Sequence, residues 1–228
     1  MSADTTSFPV YLRVLTKAKK VRPKWEARDE RPNDHLTLVF DTETTTDYQQ
    51  DLRFGVARVY ALGNLTRTVV FYGEVTDEER ETISAWAKES GYDAMPREEF
   101  VKSVFLPLAL DQRAVVVGFN LPFDLSRLAV DFAPKRNVRA TEAWTLRLVD
   151  KRDPSFAFVP GVRIQHVDAR KSFIGFTGTK GKRRPYRGAF VDLRTLTAAL
   201  TGAGHSLKSA GEAFACDLKK SSADYSGH

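Results

Sequence analysis

Two acidic residues at the end of an apolar run are the first residues in this sequence that could do chemistry. The run from Leu36 to Phe40 is rich in strand formers, and Asp41 and Glu43 follow it directly. Side chains two apart on a strand point the same way, ~6.6 Å from each other, so these carboxylates can converge on one spot. Such a pair is costly without a cation, and hard oxygen ligands favour Mg²⁺ or Mn²⁺. The pair could also serve only as a turn or cap at a strand end.

A third acid follows a second apolar run. Residues 114–119 read Ala-Val-Val-Val-Gly-Phe, a pattern that predicts a strand buried on both faces. Asn120 and Pro122 then open a predicted helix with Asp124 in its first turn, where the helix dipole favours a carboxylate. Asp124 is therefore a candidate metal ligand. An Asn cap with an acid in the first turn is also an ordinary structural helix start.

The charge balance favours a polyanionic partner. The 228 residues carry 35 Lys and Arg against 29 Asp and Glu, a net charge of +6, and the pI is near 9.4. Two basic clusters stand out, which are Lys17, Lys19, Lys20, Arg22 and Lys24, and Lys180, Lys182, Arg183, Arg184 and Arg187. Each could equally be a solvated surface.

The composition argues against several chemistries and locations. The single cysteine, Cys216, cannot form an intrachain disulfide or a cysteine-based zinc site. No apolar run reaches eighteen residues, and the amino terminus lacks the features of a secretory signal. We therefore expect a cytoplasmic protein without a membrane partner.

The elements that position these acids predict an α/β layered domain. We expect a loosely ordered basic lead over residues 1–34 and a folded body over residues 35–228. Strands are predicted at Phe54–Leu62 and Arg67–Tyr72, around a Gly63-Asn64 turn. A helix capped by Thr76 and Glu79 follows, and then a helix that Pro107 kinks or ends. The later elements are an inserted β-hairpin between Ala143 and Phe176, a core strand at Ala189–Val191, and helices from Asp192 and Ser206.

Three segments resemble motifs of the DEDD superfamily of 3′–5′ exonucleases, which includes the proofreading nucleases. Val39–Thr44 resembles the first motif, Asp-x-Glu, and Gly118–Asp124 resembles the second, Asn-x-x-Phe-Asp. Ser206–Ala210 is similar to the Ser-Leu-x-x-hydrophobic motif of the exonuclease domains of family B and protein-primed DNA polymerases. The resemblance runs from about residue 36 to residue 228.

The resemblance implies a ribonuclease H-like mixed sheet flanked by helices and a two-metal hydrolysis of terminal nucleotides from single-stranded DNA. Asp41 would bridge two Mg²⁺ or Mn²⁺ ions, and Glu43 and Asp124 would complete their shells. The residues expected to contact the strand are Thr42, Asn120, Phe123, Lys180, Lys182, Arg183, Arg184, Arg187, Ser206, Leu207 and Lys208. Phe123 could instead be a core aromatic, and Ser206 a plain helix cap.

The third motif of the superfamily, Tyr or His followed four residues later by Asp, is not found after Asp124. We therefore expect this chain to be part of a longer, polymerase-like protein and to be weakly active or inactive alone. Asp168 and Asp192 are interpreted as structural rather than as substitutes for the missing acid. The alternative is a ribonuclease H-like module that binds nucleic acid without catalysis. A resolvase or transposase fits the Asn-x-x-Phe-Asp context less well, and the choice between DNA and RNA stays open.

Overall fold

A computed structural model of the chain describes residues 31–134, 143–168, 171–178 and 186–216. Most of the predicted basic lead, up to residue 30, lies outside these residues. The first strand begins at Asn33, two residues before the predicted start of the folded body.

The first sheet carries Asp41 and Glu43. Its strands are β1 (Asn33–Thr44), β2 (Leu52–Ala61), β3 (Asn64–Tyr72), β4 (Asp93–Pro96), β5 (Ala114–Gly118) and β10 (Ala189–Asp192). Their order in the sheet is β10-β5-β1-β2-β3-β4, in which only β2 runs against the other strands. The protein is thus a mixed α/β fold, as the sequence predicts. β4 was not predicted.

The turn between β2 and β3 lies one residue earlier than predicted. Ala61 pairs with Asn64, so the two-residue turn is Leu62-Gly63 rather than Gly63-Asn64. Both turn residues have positive φ, 52° at Leu62 and 80° at Gly63. A two-residue hairpin turn of this kind matches the twist of the flanking strands, which explains why Leu62 accepts a conformation that a leucine rarely adopts.

Helix α1 (Asp77–Glu89) has the capping box predicted at Thr76 and Glu79. Helix α2 (Arg97–Phe100) continues as π-helical turns at Val101–Phe105 and Pro107–Asp111, so Pro107 does not end the helix early. That Pro107 kinks the helix stays a prediction. The pairing of amides with carbonyls five residues back, such as Gln112 N–H to the Pro107 carbonyl, carries the helix past the proline.

Aromatic and leucine side chains pack these helices against the sheet. Phe71 of β3 stacks on Phe100 at 4.1 Å between ring centroids, and Phe40 of β1 meets Phe105 edge-on at 5.8 Å. Helix α3 (Leu121–Leu128) follows β5 directly and buries three leucines, Leu121, Leu125 and Leu128, in the same core. This packing fixes α3 beside the ends of β1 and β5.

The insertion before the last core strand is larger than the predicted hairpin. It is a four-stranded antiparallel sheet in the order β6-β7-β8-β9. Its strands are β6 (Asp131–Pro134), β7 (Ala143–Arg147), β8 (Val162–Asp168) and β9 (Lys171–Phe176), with a 3₁₀ turn at Pro154–Phe156. One face joins the main core through Leu146, Ile164 and Phe176. The hairpin prediction missed β6 and the pairing that widens the sheet.

Two helices follow β10. Helix α4 (Leu193–Thr201) begins at its cap Asp192 and ends at Gly202, and α5 (Leu207–Ala213) begins at its cap Ser206, as predicted. None of the helices in the described part of the chain is long and apolar enough to cross a membrane.

Candidate functional site

The candidate site lies where β1 and β5 end side by side. These two strands are parallel, with Val39 level with Val117. The carboxyl ends of neighbouring parallel strands meet at one edge of a sheet. The acidic segment at the end of β1 and the first turn of α3, which follows β5, are therefore neighbours although about eighty residues separate them in sequence.

The β1 residue that contacts Asp124 is the threonine between the two acids. Side chains alternate along the strand, so Phe40 and Thr42 face the core and Asp41 and Glu43 are exposed. Thr42 is only 8% exposed, and its Oγ1 donates a hydrogen bond of 2.7 Å to Oδ1 of Asp124. The Asp-Thr-Glu segment thus reaches α3 through its hydroxyl.

The three predicted metal ligands are not gathered into one group. No set of three or more His, Cys, Asp or Glu side chains within the described ranges is arranged to hold a metal ion. Asp41 is close enough to Asp124 for its charge to raise the pKa of that carboxyl. The alternation of β1 explains the arrangement, because Asp41 and Glu43 project from the strand opposite to Thr42. The shared metal site of Asp41, Glu43 and Asp124 stays a prediction.

Asp124 is a buried carboxyl with one unsatisfied oxygen. Its side chain is 2% exposed, and Oδ2 has no hydrogen-bond partner among the described residues. Burial raises the pKa of Asp124 to about 7, and although hydrogen bonds from Thr42 lower it, the charges of Asp41 and Asp192 raise it further. A buried carboxylate oxygen without a donor is costly, and a bound cation would remove that cost.

The residue that opens α3, Asn120, adopts a left-handed conformation with φ 69° and ψ 42°, and its side chain does not cap the helix. Its backbone N–H donates to Oδ1 of Asp192 instead, at 2.9 Å. Its side-chain oxygen accepts a hydrogen bond of 3.2 Å from Arg194. Asn120 is therefore held at both backbone and side chain by the start of α4.

Phe123 lies on the outer side of α3 and is half-buried. The guanidinium of Arg127 lies 4.9 Å from the centre of its ring. Arg127 also donates hydrogen bonds to the backbone carbonyls of Gln49 and Gln50, in the loop after β1. The arginine thus ties that loop to α3. The contact of Phe123 with a nucleic-acid strand stays a prediction.

Three residues of the third resembling motif, Leu207, Lys208 and Ala210, line an apolar groove between α4 and α5. Oγ of Ser206 accepts the backbone N–H of Ser209 in a capping box, so this hydroxyl is used by the helix. Leu207 is 48% exposed, and Lys208 is also exposed. Both line a groove of about 650 Å³ whose walls also include Phe119.

The predicted basic surface is described only at one residue. Lys180, Lys182, Arg183 and Arg184, like the cluster from Lys17 to Lys24, lie outside the described residues. Arg187 is exposed, and its carbonyl accepts the backbone N–H of Phe176 at 2.7 Å. Arg187 precedes the start of β10, whereas Asp192 ends that strand. Arg187 therefore lies beyond one end of β10, and Asp192 lies at the other end.

Sequence reasoning missed three contacts at this site. Asp192 was interpreted as a helix cap, which is confirmed, but its second role toward Asn120 and Leu121 has no local signal because about seventy residues separate the partners. The hydrogen bond from Arg194 to Asn120 and those from Arg127 to the loop after β1 also join residues far apart in sequence, so they have no local signal either. The sequence shows that an arginine can donate and that an aspartate can accept a hydrogen bond. Which residue is the partner depends on the fold.

No protein-family model matches this chain, and no curated protein is significantly similar to it.

Proposed function

We propose that this chain is a metal-dependent 3′–5′ exonuclease domain of the proofreading type, acting on single-stranded DNA. One observation carries the proposal. Asp124 of the Asn-x-x-Phe-Asp segment is buried, and one of its carboxylate oxygens has no hydrogen-bond partner among the residues that the structure describes. Its other oxygen is hydrogen-bonded to Thr42 of the Asp-Thr-Glu segment, and the charge of Asp41 is close enough to act on it. Burying a carboxyl beside another acid is unfavourable, because the two negative charges repel each other. A bound metal ion in a nuclease site would offset this cost and so explain the arrangement.

The sheet order supports a ribonuclease H-like fold. A meander of β1, β2 and β3 is extended on the β1 side by two parallel strands, β5 and β10, and only β2 is reversed. A helix follows each of these two parallel strands. Ligand sites in open α/β sheets lie at the carboxyl ends of the strands, which is the edge where Asp41 and Asp124 lie.

The donor atoms at this edge suit a hard divalent cation. Asp41, Asp124 and Thr42 offer oxygen, the ligand type that Mg²⁺ and Mn²⁺ prefer. Under the proposal Asp41, Glu43 and Asp124 would hold two such ions, which would supply an activated water and charge stabilisation of the leaving 3′ oxygen. Thr42 holds one oxygen of Asp124 in place and leaves Oδ2 for the cation.

The neighbouring side chains would hold the strand. The half-exposed ring of Phe123 can pack on a terminal nucleotide, and the side-chain amide nitrogen of Asn120 can donate to it, since its oxygen is engaged by Arg194. Leu207 and Lys208 offer an apolar wall with a basic rim. Apolar and stacking contacts with basic residues bind single strands without sequence preference, as a nuclease for any base requires.

A second candidate is a nucleic-acid-binding module of the same fold without catalysis. The observation that favours it is that the described residues contain no three-residue metal group. The missing Tyr or His with Asp four residues on also predicts a slow reaction at best, because acid–base and metal-positioning groups each contribute several kcal/mol of rate enhancement, on the order of 3 kcal/mol apiece.

Degradation of a 5′-labelled single strand, DNA or RNA, with Mn²⁺ tests the proposal and separates the two candidates. We expect slow, Mn²⁺-dependent shortening from the 3′ end, lost in Asp41→Ala and in Asp124→Asn, while both variants still bind the strand. Asp77→Asn, a change of an exposed carboxylate in α1, is the control and should cleave as the wild type does. Salt-sensitive binding of the strand by a wild-type chain that neither binds Mn²⁺ nor cleaves would reject the exonuclease in favour of the binding module.

A further inference from the structure

Asp192 accepts hydrogen bonds from the starts of two helices. Its Oδ1 accepts the backbone N–H groups of Asn120 and Leu121, at 2.9 and 3.0 Å. Its Oδ2 accepts the backbone N–H and the hydroxyl of Thr195, at 3.1 and 2.6 Å. The side chain is 8% exposed, so these bonds form away from water, where they are strongest.

One half of this arrangement is ordinary and the other is not. Asp192 is the N-cap of α4, the residue type and position that helices prefer. Helix α3 has no side-chain cap of its own, because Asn120 has turned into the left-handed region. Asp192 supplies the missing acceptor from a distant part of the sequence. One carboxylate therefore caps two helices.

We propose that Asp192 is a positioning residue that sets the place of Asp124. It fixes the backbone at Asn120 and Leu121, from which the first turn of α3 carries Asp124 to Thr42 of β1. The structural part of this inference stands on the hydrogen bonds of Asp192. Its consequence for ion binding rests on the proposed metal-dependent function.

A direct role as a metal ligand does not fit the geometry. A carboxylate has about four lone-pair positions, and the four donors from α3 and α4 occupy them. Asp192 thus acts through Asp124 and not on an ion itself. A role limited to capping α4 does not fit either, since it does not explain the hydrogen bonds from Asn120 and Leu121.

The substitution Asp192→Ser separates the two halves. Serine is as good an N-cap as aspartate, so α4 keeps its acceptor. The single short hydroxyl cannot also reach the amides of Asn120 and Leu121. Thr76→Ala, which removes the side-chain cap of α1, is the matched control for loss of a cap far from Asp124. Asp192→Asn is the second variant, because it keeps the size of the side chain and can satisfy only one of the two helices.

Two measurements on the full chain decide the inference. Amide NMR with hydrogen exchange reports the bonds at Asn120 and Leu121, and Mn²⁺ titration by electron paramagnetic resonance reports ion affinity. In Asp192→Ser we expect both amide protons to move upfield, exchange in α3 to accelerate about tenfold or more, and Mn²⁺ affinity to fall about 10–100-fold. Asp192→Asn, whose one oxygen can serve only one helix, should accelerate amide exchange at the start of α3 or at the start of α4. Thr76→Ala should lower the melting temperature by about 2–4 °C and leave α3 and ion affinity unchanged.

Wild-type values for the α3 amides in both Asp192→Ser and Asp192→Asn would overturn the inference. Wild-type ion affinity in variants whose α3 amides have changed would overturn the link from Asp192 to Asp124. If the wild-type chain binds no Mn²⁺ and cleaves nothing, the proposed function fails, and the amide measurements still decide the role of Asp192.

Discussion

At the scale of single residues, Asp124 and Thr42 form the most informative contact in the molecule. Asp124 is 2% exposed, and one of its carboxyl oxygens has no hydrogen-bond partner within the described part of the chain. Such a site ordinarily favours an apolar or neutral side chain, because the ionised carboxyl lacks solvation. Thr42 satisfies only Oδ1. The remaining oxygen stays unfavourable unless a proton or a cation neutralises it. Protonation and ion binding are therefore competing states of the same site.

Because the pKa of Asp124 is raised, the free energy of unfolding of the metal-free protein should decrease as the pH rises. The unfolded chain releases this proton near the ordinary value of 3.8, whereas the folded chain holds it until about pH 7. Folding therefore binds a proton between these values, and the free energy of unfolding drops by up to about 4 kcal/mol across the interval. We expect Asp124→Asn, which stays neutral, to equal the wild type near pH 4 and to exceed it in stability at about pH 8.

Urea unfolding at a series of pH values in the presence of a chelator measures this difference. Asp93→Asn, a change of an exposed carboxylate, controls for the loss of a charge. Parallel pH profiles for wild type and Asp124→Asn would show that the carboxyl ionises as freely in the folded chain as in the unfolded one.

Removal of the Thr42 hydroxyl should destabilise the site. Thr42→Val keeps the shape of the side chain and leaves both oxygens of Asp124 without a side-chain donor, which costs about 1–3 kcal/mol when the carboxyl is ionised. Thr42→Ser keeps the donor and loses one methyl group, at a cost of about 1 kcal/mol. We expect the pKa of Asp124 to rise further only in Thr42→Val, as measured by NMR titration. An equal pKa in both variants would contradict the contact.

At the scale of elements, the passage from β5 to α3 decides where the site residues go. Gly118 ends the strand, and a Cβ at this position would lie 2.7 Å from Cδ1 of Leu121 and 3.2 Å from the carbonyl oxygen of Phe40. The absence of a side chain lets the first residue of α3 pack directly against β1. The close approach of the two elements therefore depends on a single glycine.

Gly118→Ala should accordingly displace the start of α3 and destabilise the protein by about 1–3 kcal/mol. Gly211→Ala is the matched change in α5, where a Cβ meets nothing within 4 Å and where alanine is the better helix former by up to about 1 kcal/mol. We expect opposite signs for the two alanine variants in thermal unfolding. A neutral or stabilising Gly118→Ala would mean that Leu121 yields without consequence.

The elements that the sequence predicts well are those whose signals are local. The alternation in β1, the capping box at Thr76 and the helix start at Asp192 act within a few residues, and each is confirmed. The four-stranded sheet was reduced to a hairpin because β6, four residues ending in Pro134, has almost no pattern of its own and exists through pairing with β7. The candidate site also combines local and non-local signals. The acids were identified from residue types and spacing in the sequence, whereas their orientation depends on which face of β1 is covered by α3, and that is decided by the fold.

At the scale of the whole molecule, the net charge of +6 predicts salt-dependent binding of single strands. Replacing Lys182 and Arg183 by glutamine should weaken binding and reduce the slope of log affinity against log salt by up to about 1.4, or about 0.7 for each phosphate contact. The exposed pair Lys88 and Lys151, replaced in the same way, is the control and should leave the slope unchanged. Equal slopes for both double variants, measured by fluorescence anisotropy, would reject the cluster as a phosphate-binding surface.

The inserted sheet is joined to the start of α4, which limits how far this chain could be shortened. The backbone N–H of Ser172 in β9 donates to the Thr195 hydroxyl, and that hydroxyl donates in turn to Asp192. The buried side chains Ile164 and Phe176 belong to the common core. A shortened chain that joined α3 directly to β10 would lose four strands and would also expose part of the common core to water. A minimal domain should therefore keep the inserted sheet.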